Sequence, residues 1–272
     1  MFDNIFAAIE KWMRELLTGM VESNMSTMFT DVNEKTSEIA AQVGRTPQNW
    51  NSSVFSMIQN LSESVVVPIA GIIITLVLCY ELISMLTERN NLHDVDTWMF
   101  FKYFVKAWVA IYLVSNTFTI TMAVFDVGQS VVNSASGIIN GETAIDVSSL
   151  SMQMQAAMAT MEIGELVVLA LETFLVSFCM KIMSVVITVI VYGRMIEIYL
   201  YTSLAPIPFA TMSNREWGHV GTNYFRGLFA LAFQAFLMMV CVAIYAALIS
   251  SVRISSNMHS ALIGVAAYTV IL

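Results

Sequence analysis

Long apolar runs with few charges occupy most of the chain after about residue 63. Residues 64–80 and 227–252 carry no charged side chain. A helix needs about 20 mostly apolar residues to cross the hydrocarbon core of a bilayer. The pattern therefore predicts an all-α fold, a polytopic bundle of transmembrane helices with about five spans.

The apolar segments differ in length and in how they are interrupted. We predict spans at about 64–86, 102–125, 165–192 and 227–252, and an incomplete apolar segment at 260–272. Gly193 and Arg194 look like a break after the third span. The next segment, 195–212, contains Pro206 and Pro208, and two closely spaced prolines end or bend a helix. It is therefore either a short span or a re-entrant hairpin.

The first 62 residues follow a different pattern and form a separate, polar N-terminal region before a transmembrane domain at 63–272. Apolar side chains recur at helical spacing in the first 20 residues, and charged ones take the other side. This predicts an amphipathic helix, which lies on the membrane surface or packs against a partner subunit. Residues 23–63 are polar and predict helix fragments and loops outside the bilayer.

Composition supports a membrane protein. Hydrophobic residues make up 57% of the 272 residues and charged residues only 12%, whereas soluble domains carry about 25% charged residues. The mean hydropathy is +0.72. The net charge of −8 argues against nucleic-acid binding by bulk charge, which needs clustered Lys and Arg.

Basic residues predict the orientation, because Lys and Arg collect in cytoplasmic loops. Arg89, Lys102 and Lys106 place the loop after the first span inside. Segment 126–162 has acidic residues and no Lys or Arg, so it forms an outer loop, and the N-terminal region is then also extracytoplasmic. The arginines around 195–212 all lie inside only if that segment does not fully cross, which favours the re-entrant alternative.

Catalytic motifs are missing from the sequence. It contains no phosphate-binding GxxxxGK[ST], no HExxH and no GxSxG. The histidines, His93, His219 and His259, are far apart in the sequence. We predict a protein that is not an enzyme, with no catalytic, cofactor or metal site.

A few polar side chains fall within predicted spans, where ionisable groups are costly and face a bundle interior or water. Glu165 and Glu172 are seven residues apart and share a helix face, whereas Lys181 points elsewhere. These residues line a wet path or a subunit interface, or else Glu172 is protonated or hydrogen-bonded between helices and Lys181 is paired elsewhere. Asn116 and Gln234 either bond between helices or line the same path.

From Gly193 the sequence reads GRMIEIYLYTSLAPIPFATMSNREWGHVGTNYFRGLFALAFQAFLMMV. Arg194 and Glu197 are spaced to pair on one helix face. The order of Gly-Arg, Ala-Pro-Ile-Pro, a charged turn, Tyr-x-Arg-Gly-Leu and a Gln-bearing span resembles the TrbL-like membrane subunits of type IV secretion and conjugation machines. It is most similar to those of Gram-positive mobile genetic elements, over about 193–240.

The resemblance implies a multi-pass protein of the bacterial cytoplasmic membrane that contacts lipid and forms homo-oligomers. It implies work with other secretion-machine subunits, including a separate ATPase, and a channel or scaffold role on the path of a single-stranded DNA–protein substrate. The residues that would contact the cytoplasmic partner are Arg194, Pro206, Pro208, Arg215 and Arg226. The alternatives are a small-solute secondary transporter, since broken helices and intramembrane charges mark transporter sites, and a purely structural membrane scaffold.

Overall fold

The computed structural model describes residues 2–87, 97–139, 147–214, 216–251 and 258–271. All regular structure within these ranges is helical, which confirms the all-α class. The helices are α1 Phe2–Val43, α2 Pro47–Trp50, α3 Ser52–Leu61, α4 Val67–Thr87, α5 Thr97–Ser115, α6 Thr117–Ile139, α7 Val147–Met158, α8 Ile163–Leu204, α9 Pro206–Thr211, α10 Gly218–Ser251 and α11 Met258–Ile271.

Four helical stretches of the described residues are long and apolar enough to cross a membrane, so the polytopic architecture is confirmed. They are Ser52–Thr87, Thr97–Ser115, Ile163–Leu204 and Gly218–Tyr245. The outer loop expected at 126–162 contains the end of α6 and all of α7, and its residues 140–146 lie outside the described ranges.

The N-terminal helix extends well beyond the predicted amphipathic segment. The expectation of fragments and loops from residue 23 onward is wrong up to Val43, because α1 is one helix of 42 residues. Its later turns are held by buried apolar residues, among them Val21, Met25 and Val32. Packing of this face stabilises helix in a stretch whose exposed side chains are polar.

The first predicted span begins with a distortion that accommodates Pro68. Residues Ser62–Val66 form a π-helical turn between α3 and α4, in which Val67 N–H bonds to the Ser62 carbonyl. Proline lacks an N–H and clashes with the carbonyl four residues earlier. The wider turn takes up that misfit and keeps Ser52–Thr87 as one continuous stretch of helix.

The second predicted span, 102–125, is divided between two helices that meet at Asn116. The Asn116 side-chain amide donates to the Tyr112 carbonyl at 2.9 Å. The hydroxyl of Thr117 bonds back to the Leu113 carbonyl at 2.7 Å, and such bonds bend helices.

The break expected at Gly193 and Arg194 does not occur, since α8 continues through both residues. A glycine in a helix costs only about 1 kcal/mol, and the buried neighbours Met195 and Ile198 offset that cost. The helix ends at Leu204, one residue before the Ala205–Pro206 step, as the prolines predict.

The chain divides into two compact units. Unit 1 consists of Met1–Val43, Asn133–Val191 and Leu237–Leu272, and unit 2 of Gly44–Val132 and Tyr192–Phe236. In unit 1 a core of buried apolar side chains joins α1, α7, α8 and α11, with Met25, Met154, Leu166 and Leu262 among its members. In unit 2 several smaller apolar clusters join α3 to α6 with α9 and the adjoining parts of α8 and α10.

Candidate functional site

The Pro-broken segment lies inside unit 2. Short helix α9 begins with Pro206 and packs against α4 and α5. Its Phe209 and Ala210 are buried in a cluster with Ile74 of α4 and Ala110 of α5. Because Ile74 is in the middle of the uncharged stretch of α4, α9 lies beside that stretch rather than beyond its end.

The turn after α9 is fixed at the other end of α4. The Asn214 side-chain oxygen accepts the Glu216 and Trp217 N–H groups at 2.7 and 3.1 Å and so caps the start of α10. Trp217 stacks on Tyr80, with ring centroids 6.0 Å apart, and the Tyr80 hydroxyl donates to the Glu216 carboxylate at 3.2 Å. The turn therefore lies where the uncharged stretch of α4 ends.

Helix α10 then returns along α9 and α8. A Cβ added at Gly221 would lie 2.5 Å from the Pro208 carbonyl oxygen, so the two backbones approach closely. Further along, Tyr224 stacks on Tyr201 at 4.7 Å and donates its hydroxyl hydrogen to the Tyr201 carbonyl at 2.7 Å. Segments 192–211 and 218–236 thus form a helical hairpin within unit 2.

The residues predicted to contact a cytoplasmic partner differ in accessibility. Arg194 and Pro206 are buried, Pro208 is half-buried and Arg226 is exposed. Arg215 lies outside the described residues. Of the four described residues, Arg226 is therefore the most accessible to a partner, whereas Arg194 and Pro206 are packed inside unit 2.

Arg194 is a buried cation. It is 7% exposed, and its Nε atom has no hydrogen-bond partner among the described residues. Arg194 is buried and Glu197 is exposed, and the two charges attract each other without forming a direct ion pair. Neither side chain makes an ion pair within the described part of the chain.

Glu172 has a partner that spacing alone did not indicate. Its carboxylate lies 2.6 Å from Nδ1 of His259 on α11, a residue 87 positions away, and both belong to unit 1. This favours the alternative in which Glu172 is hydrogen-bonded between helices. Glu165 is exposed and accepts the Glu162 N–H at 3.2 Å, a capping contact at the start of α8.

The remaining candidates do not converge on one site. Lys181 is exposed and forms no ion pair with another described residue. Gln234 is half-buried, and its Oε1 has no partner within the described ranges. Asn116 is satisfied by its own helix. Among the described residues, no three metal-ligating side chains cluster together.

An ion pair in unit 2 was not anticipated from the sequence. Lys106 on α5 pairs with Glu81 on α4, and the neighbouring Tyr103 donates to the Leu78 carbonyl at 2.9 Å. Lys106 therefore joins two helices close to Tyr80.

Comparison with known proteins identifies the family. The model of the family described as "TrbL/VirB6 plasmid conjugal transfer like protein" matches residues 32–206, which is more than half of the chain. Neither the curated proteins nor the solved structures gave a match. The chain has a polytopic helical fold and a Pro-broken hairpin. It belongs to the TrbL/VirB6 family, whose members are membrane subunits of conjugal transfer (type IV secretion) systems.

Proposed function

We propose that this chain forms or supports the path along which a DNA–protein substrate crosses the cytoplasmic membrane. It does so together with other secretion-machine subunits, including an ATPase that supplies the energy. Family membership supports a subunit of the transfer machine over a small-solute transporter. The observation that carries the path is the exposed Lys181 on the long apolar helix α8.

The side chains of Lys181 and Glu197 are both exposed on this long apolar helix and form no ion pair with described residues. Sixteen residues rotate a helix by about 160°, so the two charges lie on different faces of α8. Charged groups on membrane helices face protein or water rather than lipid. Exposed Lys181 therefore supports a water-filled path or another subunit beside its turn of α8.

The hairpin geometry supports a crossing at 195–212 rather than a re-entrant loop. Tyr199 lies beside Ile58 of α3, before the start of α4, and Phe209 lies beside Ile74. The turn after α9 then reaches Tyr80, where the uncharged run of α4 ends. The Lys106–Glu81 pair lies close to the same end. We assign this end to the cytoplasmic side, so exposed Arg226 lies about two and a half turns from it along α10.

The test is plasmid transfer from donor cells that carry Lys181→Ala or Glu197→Ala in the otherwise intact machine. We expect transfer to fall by about tenfold or more, equivalent to roughly 1.4 kcal/mol. Lys11→Ala is the control, because Lys11 is also exposed but lies on α1, where its ion pair is with Glu15. Normal transfer by both α8 variants, at unchanged protein level, would contradict a role for these two charges.

Cross-linking separates a path from a scaffold. A photo-reactive residue at position 181 or 197 should capture the transferred strand or its pilot protein during mating. Capture only of other subunits would favour the scaffold alternative.

A further inference from the structure

One face of α5 is exposed and carries large apolar side chains along most of the helix. These side chains recur every three or four positions, which places them on one side of a helix. They are Trp98, Phe101, Val105, Trp108, Val109 and Tyr112, each 42–68% exposed. This face is the α5 stripe.

The opposite face of α5 packs within unit 2. Ala110 is buried beside Ile74 of α4, and Lys106 pairs with Glu81 farther along α4, so the two helices run antiparallel. At 100° per residue, Ala110 lies on the other side of α5 from the stripe. The α5 stripe is therefore directed away from α4.

One cation lies on the stripe. At 100° per residue, Lys102 falls on the same side of α5 as Trp98 and Val109. Its side chain is exposed, and the ammonium lies 5.6 Å from the centroid of the Trp98 ring. Unlike Lys106, which pairs with Glu81, Lys102 forms no ion pair with any residue that the structure describes. Lys102 is therefore available to an anion from outside the described chain.

The Lys102 end of the stripe lies at the depth of lipid headgroups. The uncharged run of α4, 64–80, is about 26 Å long, close to the roughly 30 Å of a hydrocarbon core. Lys106 lies at the end of that run because it pairs with Glu81. Lys102 lies four residues, or about 6 Å, farther out along α5. The headgroup layer on each side of a bilayer is about 5–8 Å thick, so Lys102 lies within it.

The inner part of the stripe has the length and chemistry that an acyl chain needs. From Val105 to Tyr112 it measures about 11 Å along the helix, within the roughly 15 Å of hydrocarbon in one leaflet. At the outer end, the Trp98 ring lies against the ammonium of Lys102. Tryptophan is enriched at headgroup depth, where one side of the ring contacts lipid and the other is wet.

We propose that the α5 stripe binds an anionic phospholipid, with its acyl chains along Val105 and Val109 and its phosphate at Lys102. The lysine ammonium is a compact point charge that binds phosphate, and the Trp98 ring holds it in place. A zwitterionic lipid offers the same acyl chains without a net negative charge, so a lipid that carries one is preferred. The inference rests on the membrane fold and is independent of the substrate that crosses.

Quenching of a fluorescent label by brominated lipids tests the proposal. In the full chain, Cys79, Cys179 and Cys241 are replaced by serine, and Val109→Cys carries a bimane label. The protein is reconstituted in phosphatidylcholine bilayers that contain a minor fraction of phosphatidylglycerol, with bromine on the acyl chains of one lipid or the other. Leu76→Cys is the matched control, because Leu76 is exposed on α4 close to the depth at which α4 contacts Ala110.

We expect phosphatidylglycerol to be enriched over phosphatidylcholine on the order of threefold at position 109, and not at position 76. Lys102→Ala should abolish the enrichment, and Lys102→Arg should retain it. Equal quenching by the two lipids at position 109, or a preference that survives Lys102→Ala, would overturn the proposal. So would the same preference at positions 76 and 109, which indicates a general surface attraction. Quenching by neither lipid at position 109 would also overturn it, because protein then covers the stripe.

Discussion

Gly221→Ala is the substitution whose effect follows most directly from the hairpin. The new Cβ would lie 2.5 Å from the Pro208 carbonyl oxygen and 2.1 Å from Cγ of Met212. The methionine side chain can move, but the carbonyl belongs to the backbone of α9. Relief therefore requires α9 and α10 to separate, and overpacking of this kind costs about 1–3 kcal/mol.

The same substitution also brings a gain, because alanine is better than glycine in a helix by about 1 kcal/mol. Gly193→Ala isolates that gain, since a Cβ at Gly193 meets nothing within 4 Å and the residue lies within α8. The difference between the two variants is then the clash alone, about 1–3 kcal/mol. At roughly 2–4 °C per kcal/mol, Gly221→Ala should melt about 2–12 °C below Gly193→Ala.

The assay is thermal unfolding of the purified full chain in detergent, followed by the loss of monodisperse protein on size exclusion. Melting of the two variants at the same temperature would refute the close approach of α10 to α9. A Gly193→Ala variant less stable than the native chain would refute the continuous α8.

Three further substitutions address separate contacts, each measured by the same unfolding assay. Asn214→Ala should destabilise the chain by about 1 kcal/mol, because the start of α10 loses its cap. The comparison is Asn116→Ala, which loses only a local contact to the Tyr112 carbonyl, and an equal loss of stability in both variants would contradict the cap. Glu172→Ala and His259→Ala should be non-additive by about 0.5–3 kcal/mol in a double-mutant cycle, and strict additivity would mean that the two side chains do not interact. Tyr224→Phe should cost about 1 kcal/mol through the lost bond to the Tyr201 carbonyl, whereas Tyr112→Phe, on the exposed side of α5, should have little effect.

Features encoded by local sequence were predictable. Apolar run length indicated membrane helices, and Pro206 indicated the end of α8, because both depend on residues adjacent in the chain. The resemblance rested on residues 193–240, whereas the family match covers 32–206. The resemblance and the family match share only residues 193–206. Most of the matched region therefore lies in the earlier helices, where the sequence contains no distinctive short motif.

Features that depend on distant residues were not predictable. The later turns of α1 are helical because they pack on α7 and α8, whose positions the local pattern does not reveal. The Glu172–His259 contact joins residues 87 positions apart. Gly193 was interpreted as a break because glycine is a weak helix former, but buried neighbours outweigh that preference.

Plasmid transfer frequency in the absence of this chain tests most directly whether it is a working membrane subunit of a transfer machine. Donor cells in which only this chain is deleted should lose plasmid transfer by several orders of magnitude. The intact chain supplied from a second site should restore transfer. Transfer at the native frequency in the deletion strain, with the rest of the machine present at normal levels, would contradict the account.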